Sequence, residues 1–211
     1  MRFAAIADVH GNHLALEAVI ADIRAQGITD IVNLGDMASG PLDARRAMDA
    51  LMAMDAVHVL GNHDRYLIDR PPEKMGSWDR PAYAQLDPAH LDWLRTVPPT
   101  LVYRDQVFLC HATPASDEVY WLDTVLPDGT VAMSPRERIE QLAAGVDRSL
   151  ILCAHTHLSR TVRLADGRPS SIRAVSESRV IAMIIPIRMS LRRVHPTRAT
   201  PSSSARTMTG A

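Results

Sequence analysis

Cysteine is nearly absent from this 211-residue chain, which holds only Cys110 and Cys153. Two cysteines cannot build a disulfide framework or a cysteine-rich metal site. Each ends an apolar run, so both read as buried, reduced thiols rather than as a disulfide or a metal pair. Long apolar runs are missing as well, and no stretch reaches the roughly 20 residues that a membrane-spanning helix needs. What is present is 46% apolar residue, enough to bury one good core. The formal net charge of −1 is near balance, but the balance is uneven along the chain.

Five short segments rich in β-branched or small apolar residues run out into polar residues of metal-ligand type. Ala4-Ala5-Ile6-Ala7 leads to Asp8-Val-His10-Gly11-Asn12, and Ile31-Val32-Asn33-Leu34 leads to Gly35-Asp36. Val57-His58-Val59-Leu60 leads to Gly61-Asn62-His63-Asp64, Val107-Phe108-Leu109-Cys110 to His111, and Leu150-Ile151-Leu152-Cys153 to His155-Thr156-His157. The carboxyl ends of strands are where α/β sheets build ligand sites. Seven oxygen and nitrogen donors gathered there would suffice for a pair of divalent metals. The first strand begins almost at the N-terminus and delivers Asp8, so Met1-Arg2-Phe3-Ala4 is not expected to belong to a cleaved signal peptide. A cytoplasmic protein is expected.

The five blocks resemble, in order and approximate separation, those of the calcineurin-like metallophosphoesterases, specifically the small bacterial and archaeal phosphodiesterase branch. D-x-H stands at Asp8 and His10, G-D at Asp36, G-N-H-D at Asn62-His63-Asp64, a lone H at His111, and the H-x-H pair at His155 and His157. One block alone would be weak; all five in order, each at a strand end, are specific. The resemblance covers about residues 1 to 168. Ala154 stands where the family usually has glycine, and only a slight loop adjustment is expected from it.

The resemblance implies a two-metal hydrolase of phosphate esters, most simply a phosphodiesterase on a small substrate that uses a metal-activated hydroxide. Asp36 would bridge the two ions, Asp8, His10 and His157 would complete one shell, and Asn62, His111 and His155 the other. This mixture of imidazole, carboxylate and amide oxygen suits manganese, iron, cobalt, nickel or zinc better than calcium or magnesium. His63 would hold the phosphoryl group and protonate the leaving oxygen, a task that suits the ~6.5 reference pKa of imidazole. Asp64 is the expected partner orienting that ring. The alternatives are a phosphomonoesterase, such as a protein serine/threonine phosphatase or a dinucleoside-polyphosphate hydrolase, and a non-catalytic scaffold on the same fold. A membrane is excluded as a partner, and nucleic acid is not expected.

Other candidates have plainer readings. His13, His58, His90 and His195 lie outside the motifs and read as surface or helix residues, and Asp30, Asp43 and Asp55 as caps. The ten methionines read as core filler. Arg65 is either a phosphate contact or a solvent-facing side chain. The stretch from Gly76 to Ala84, with Trp78 and Tyr83, shows no periodicity and could be a substrate-facing lid.

The elements alternate. Asn12 is placed to cap a helix whose apolar residues Leu16, Val19, Ile20 and Ile23 share one face. Ala44, Ala47, Met48 and Leu51 mark a second helix, Asp87-Pro88 opens a third through Leu91 and Leu94, and Ser134-Pro135-Arg136-Glu137 reads as a capping box for a fourth through Ile139 and Leu142. Repeated strand–helix–strand units argue for an α/β protein with parallel strand pairs, and a hairpin around Arg104-Asp105-Gln106 adds antiparallel pairing. With the resemblance, this gives a two-sheet mixed β-sandwich flanked by helices, an αββα arrangement.

Composition breaks near residue 169. Residues 1–168 carry 16 basic and 23 acidic side chains, whereas residues 169–211 carry seven arginines and one acid. A basic arm for nucleic acid or acidic lipid is one reading. The preferred reading is a domain of residues 1–168 followed by a tail, 169–211, translated out of frame. Codons formed from the third base of each residue and the first two of the next can read V-N-P-G-S-V-G from Ser170 through Glu177. From His195 through Ala205 they can read S-H-A-R-Y-A-I-V-E-R, a plausible closing strand. The family resembled here carries asparagine-proline-glycine-serine just after its H-x-H strand. As written, the tail holds Pro169, Pro196 and Pro201 and no alternating pattern, so it is not expected to supply closing strands. Its one apolar run, Val180 to Ile185, is the piece able to pair with an exposed edge.

Overall fold

The computed structural model describes residues 2–165 throughout and, beyond them, only the backbone of strands 169–173 and 183–186. The chain begins with β1 (Arg2–Ile6), crosses through α1 (His13–Ala25) to β2 (Ile31–Asn33), and through α2 (Ala44–Met52) to β3 (Val57–His58). These three strands are parallel. Helices α3 (Asn62–Asp69), α4 (Asp79–Tyr83) and α5 (Pro88–Thr96) follow, then the antiparallel hairpin β4 (Thr100–Tyr103) and β5 (Val107–Cys110). A two-stranded arm, β6 (Asp123–Val125) and β7 (Val131–Met133), precedes α6 (Arg136–Leu142), β8 (Leu150–Cys153) and β9 (Ser159–Arg163). Last come β10 (Pro169–Arg173) and β11 (Met183–Pro186).

Two sheets result, in the orders β11-β1-β2-β3 and β4-β5-β8-β10-β9. Strand alternation assigns each side chain to a layer. Phe3, Ala5 and Val32 of the first sheet, with Val59 just past β3, meet Tyr103, Val107, Leu109, Leu150 and Leu152 of the second between the sheets. Their neighbours Ala4, Ile6 and Ile31 point the other way, against Leu16, Ile20 and Ile23 of α1 and Met48 and Leu51 of α2. On the far face of the second sheet, Cys110, Ile151 and Cys153 pack under Ile139 of α6 and the buried Trp121. The order of layers is therefore helix, sheet, sheet, helix, as the sequence pattern and resemblance implied.

Caps fix the helix starts. Asn12 Oδ1 accepts from Ala15 N at 3.0 Å, and Asp43 Oδ1 from Arg46 N at 3.0 Å. Asp87 caps α5 with Pro88 in its first position. The hairpin turn places Arg104 and Asp105 at φ of 48° and 56°. Two local expectations are corrected. Pro135, not Ser134, occupies the cap of α6, no capping box forms, and the buried Ser134 hydroxyl is left without a partner. The Gly76–Ala84 stretch contains the short helix α4, too brief to show a period in the sequence.

The tail is also corrected in part. Pro169–Arg173 inserts between β8 and β9, parallel to the first and antiparallel to the second, although no closing strand was expected there. The ladder is made of backbone groups, and an open sheet edge accepts any extended segment that can supply them. Proline at the first strand position costs no needed donor. Met183–Pro186 pairs antiparallel with β1, using part of the apolar run. The expectations for Pro196, Pro201 and the rest of the tail, including His195, lie outside the described residues.

Candidate metal centre

All five strand-end loops meet at one edge of the sandwich. Five ligand-type residues sit there in left-handed backbone: Asp8, His10, Asp36, His155 and His157, at φ from 48° to 75°. Such a conformation costs a non-glycine residue about 1–2 kcal/mol, and Asp and His tolerate it better than most. Among the described residues, the only other non-glycine positions of this kind are the two in the β4–β5 turn. Strain concentrated on one set of side chains is the pattern expected of a functional site.

Two triads result. Asp8, His10 and His157 bring ligand atoms within 4.8 Å of one another, and so do Asp36, His111 and His155. Asp36 Oδ2 faces both, 3.2 Å from His111 Nε2 and 3.8 Å from His10 Nε2. Its Oδ1 is turned away and accepts from the backbone N–H of His63 at 3.0 Å. In the first triad, His157 Nε2 lies 3.2 Å from His10 Nε2 and 3.4 Å from Asp8 Oδ1.

Backbone carbonyls aim the rings. His10 Nδ1 donates to Ser39 O at 2.6 Å and His111 Nδ1 to Leu34 O at 2.7 Å, which leaves each Nε2 toward the centre. His155 Nε2 donates to Glu118 O at 3.0 Å, which leaves its Nδ1 as the ligand atom. Metal ions fit this arrangement. Asp8 Oδ2 and Asn62 Oδ1 are buried with no hydrogen-bond partner, and unpaired buried polar atoms are costly unless something such as a metal ion satisfies them. Asn62, the first residue of α3, supplies the amide oxygen among these atoms.

The charge state tells the same story. Burial works against an ionised Asp36, yet His111, His10 and His63 hold its pKa far below the usual range. Burial would likewise lower His111, but Asp36 and Asp8 push it up to about 10. Burial and the neighbouring His111 lower His155. Without metal, the proton favoured on His111 takes a position that a cation would occupy.

Asp64 does something other than expected. Its carboxylate accepts from the backbone N–H of Asp36 (2.8 Å), Met37 (2.8 Å) and Gly61 (3.0 Å), tying the second ligand loop to the third. Burial and repulsion from Asp36 raise its pKa to about 6, against the pull of those donors. The two loops touch so closely that a Cβ on Gly35 would lie 2.3 Å from Gly61 N, and one on Gly61 would lie 2.1 Å from Asp36 Oδ1. Asp64 is thus a brace for the loops and does not orient the His63 ring.

That role falls to Asp79, at the start of α4. His63 Nδ1 donates to Asp79 Oδ1 at 2.6 Å. Burial would lower the His63 pKa, but the bond to Asp79, with Asp36, Asp79 and Asp64 nearby, holds it above the ordinary value. Nothing in the sequence flagged Asp79 beyond its place in the non-periodic stretch. His63 and Asp79 line an open cavity of about 700 Å³ together with His10, Asp36, His155 and His157. Gly76, Ser77 and Trp78 form one wall, and Tyr120, Thr156 and Leu158 another. Tyr83 packs against the core instead.

The plainer residues have plain fates. Arg65 neither contacts the cavity nor faces solvent freely: it donates to Asp117 at 2.6 Å and to Glu118 at 2.8 Å. His90 is buried and bridges Asp87 N and Asp49. His58 stacks edge-on against Trp93 with ring centroids 5.0 Å apart. Cys110 and Cys153 are buried free thiols, with pKa values pushed far up by burial. Asp30 pairs with Arg104 instead of capping a helix.

An αββα sandwich with two adjoining triads of metal-ligand type, at the strand ends, is the architecture of a metal-dependent phosphoesterase. Residues 1–159 match the calcineurin-like phosphoesterases, and the chain belongs to that family. Over 133 residues it is 26% identical to the uncharacterized protein MJ0912 of Methanocaldococcus jannaschii, a match covering 59% of this chain and 54% of that protein. The chain thus spans about half the length of that curated relative. Among solved structures, a metallophosphoesterase from Sphaerobacter thermophilus superposes with a TM-score of 0.63 at 22% identity, covering 83% of this chain and 77% of that one. Hypothetical protein PH1004 from Pyrococcus horikoshii OT3 gives 0.64 at 16% identity, covering 82% and 77%. These two likenesses speak for the fold. Among the described residues, no helix is long and apolar enough to cross a membrane.

Proposed function

We propose that the chain is a phosphodiesterase acting on a small substrate in the cytoplasm, with two divalent transition-metal ions in the two triads. The observation that carries this reading is the position of Asp36 Oδ2 between the triads, with His63 in the same cavity. Asp8, His10 and His157 would hold one ion, Asn62, His111 and His155 the other, and Asp36 both. Manganese, iron, cobalt, nickel and zinc all suit this donor set. A metal pair supplies a hydroxide nucleophile near neutral pH and neutralises phosphoryl charge.

The chain's own residues do the rest. His10 and His111, fixed by carbonyls through Nδ1, present Nε2 without rotational search. His63, held by Asp79, keeps its Nε2 proton for the leaving group. As the new oxygen–phosphorus bond forms and the bond to the leaving oxygen breaks, that proton passes from Nε2 to the leaving oxygen. Transfer from a positioned imidazole is worth ~10²–10⁴ in rate. The full donor set supports an enzyme over a scaffold on this fold.

The test is hydrolysis of bis(p-nitrophenyl) phosphate and p-nitrophenyl phosphate by protein loaded in turn with each of these metals. The diester should turn over faster. A faster monoester would make the protein a phosphomonoesterase, and no turnover with any metal would overturn the reading.

A further inference from the structure

Three tryptophans serve three different ends. Trp121 is 2% exposed and donates from Nε1 to Ile139 O, and Trp93 packs against the first hydrophobic core. Trp78 belongs to no core cluster among the described residues; it is half-buried in the cavity wall. Its ring meets His10 edge-on with centroids 5.5 Å apart and lies 28° from the His63 plane, 6.5 Å away. It therefore stands beside the group that would protonate the leaving oxygen. A second ring, Tyr120, stands across the centre, 37% exposed and 4.9 Å from the His155 ring. One aromatic flanks the His10–His63 side and the other the His155 side.

Charge points the same way. The described residues lining the cavity include no lysine or arginine, while Asp36 and Asp79 are both among them. Arg65 is committed to Asp117 and Glu118, and Arg160 to Asp123. Beyond His63 and the two proposed ions, the additional charges of a monoester dianion or a polyphosphate would meet no lysine or arginine among the described lining residues. A diester brings a single charge, and it has two organic arms where the wall offers two rings.

Resting on the proposed phosphodiesterase reading, we infer that the substrate is a singly charged diester whose leaving group carries an aromatic ring seated on Trp78, with the second arm running toward Tyr120. Flat π-faces recognise one another with little regard to ring substituents, so the expected class is broad: aryl or nucleobase-bearing diesters.

The experiment compares methyl phenyl phosphate with methyl hexafluoroisopropyl phosphate, whose leaving alcohols are of similar acidity but only one of which is aromatic. Metal-loaded wild type should favour the phenyl ester in kcat/KM, and Trp78→Ala and Trp78→Leu should each lose roughly 5- to 150-fold of that preference, mainly through KM. Trp78→Phe should restore it. Two truncations guard against a variant that fails to fold. If wild type and variants hydrolyse both esters in the same ratio, the inference is overturned while the phosphodiesterase reading stands. Faster turnover of diadenosine tetraphosphate or p-nitrophenyl phosphate than of the diesters would overturn the phosphodiesterase reading and the inference together. No turnover of any diester would take down the underlying reading and the inference with it.

Discussion

His63 Nδ1 and Asp79 Oδ1 lie 2.6 Å apart, although sixteen positions separate them and Asp64 is the acid next door. The bond fixes which ring nitrogen remains for substrate and stabilises the protonated ring. Asp79→Asn keeps a hydrogen-bond partner but removes the charge. A general acid acts when protonated, so a raised pKa carries activity to higher pH and its loss withdraws it. The alkaline limb of the pH–rate profile should therefore shift to lower pH in Asp79→Asn, with metal content unchanged. An unmoved limb would show that Asp79 only holds the ring in place.

His63→Ala should retain metal and lose about 10²–10⁴-fold in rate, the range of a general acid. The loss should shrink for nitrophenyl esters, whose leaving oxygens need little protonation. An equal loss for every leaving group would mean that His63 positions phosphate instead.

Metal uptake should release protons. His111, pushed up to about 10 by Asp36 and Asp8 in spite of burial, is protonated at neutral pH in the metal-free protein and must lose that proton to bind an ion. Titration calorimetry in buffers of different ionisation enthalpy should show net release, with affinity falling as pH falls. Loading should approach two ions per chain. Asp36→Asn should lose most of both, and Asp64→Ala should weaken both without removing a ligand, because three loop N–H groups lose their acceptor. Full activity after exhaustive chelation would contradict the two-metal reading.

Much of this was legible because strand periodicity and ligand chemistry are local. The alternation of Phe3, Ala4, Ala5 and Ile6 assigns layers, and each ligand follows its strand by one to four residues. Long-range partners were not legible. Asp64 has the right chemistry to hold His63, but as the third residue of α3 it points back into the loops, while Asp79 arrives from a helix too short to leave a period. Tyr120 and Glu118 lie in a segment with no motif, and only the folded chain brings them beside His155. β10 was missed because backbone pairing does not require the side-chain pattern that sequence reading relies on.

His58 should make the metal-free protein acid-sensitive. Burial lowers its pKa to about 4 from 6.5, so the unfolded chain binds a proton more readily than the folded one. The stability present above pH 6.5 is lost as pH falls toward 4, by about 2–3 kcal/mol. Urea unfolding of wild type and His58→Gln at pH 7 and pH 4.5 isolates this from other acid effects. The wild type should lose more; equal losses would show that His58 is hydrated.

Residues 169–211 are proposed to be read in the wrong frame. Strands Pro169–Arg173 and Met183–Pro186 already satisfy the backbone demand beside β8 and β1, so restoring the frame should leave those ladders and improve the side chains that cover them. It should also remove most of the excess of seven arginines over one acid. A gain of about 2–3 kcal/mol would raise Tm on the order of 5–10 °C in a chain of this size. The nucleotide sequence around codons 168–171 tests the premise, and Tm and solubility of the restored protein test the consequence. A restored protein no more stable than this one would count against the shift. Salt-dependent DNA binding that disappears when residues 169–211 are removed would make the tail a basic arm in its own right.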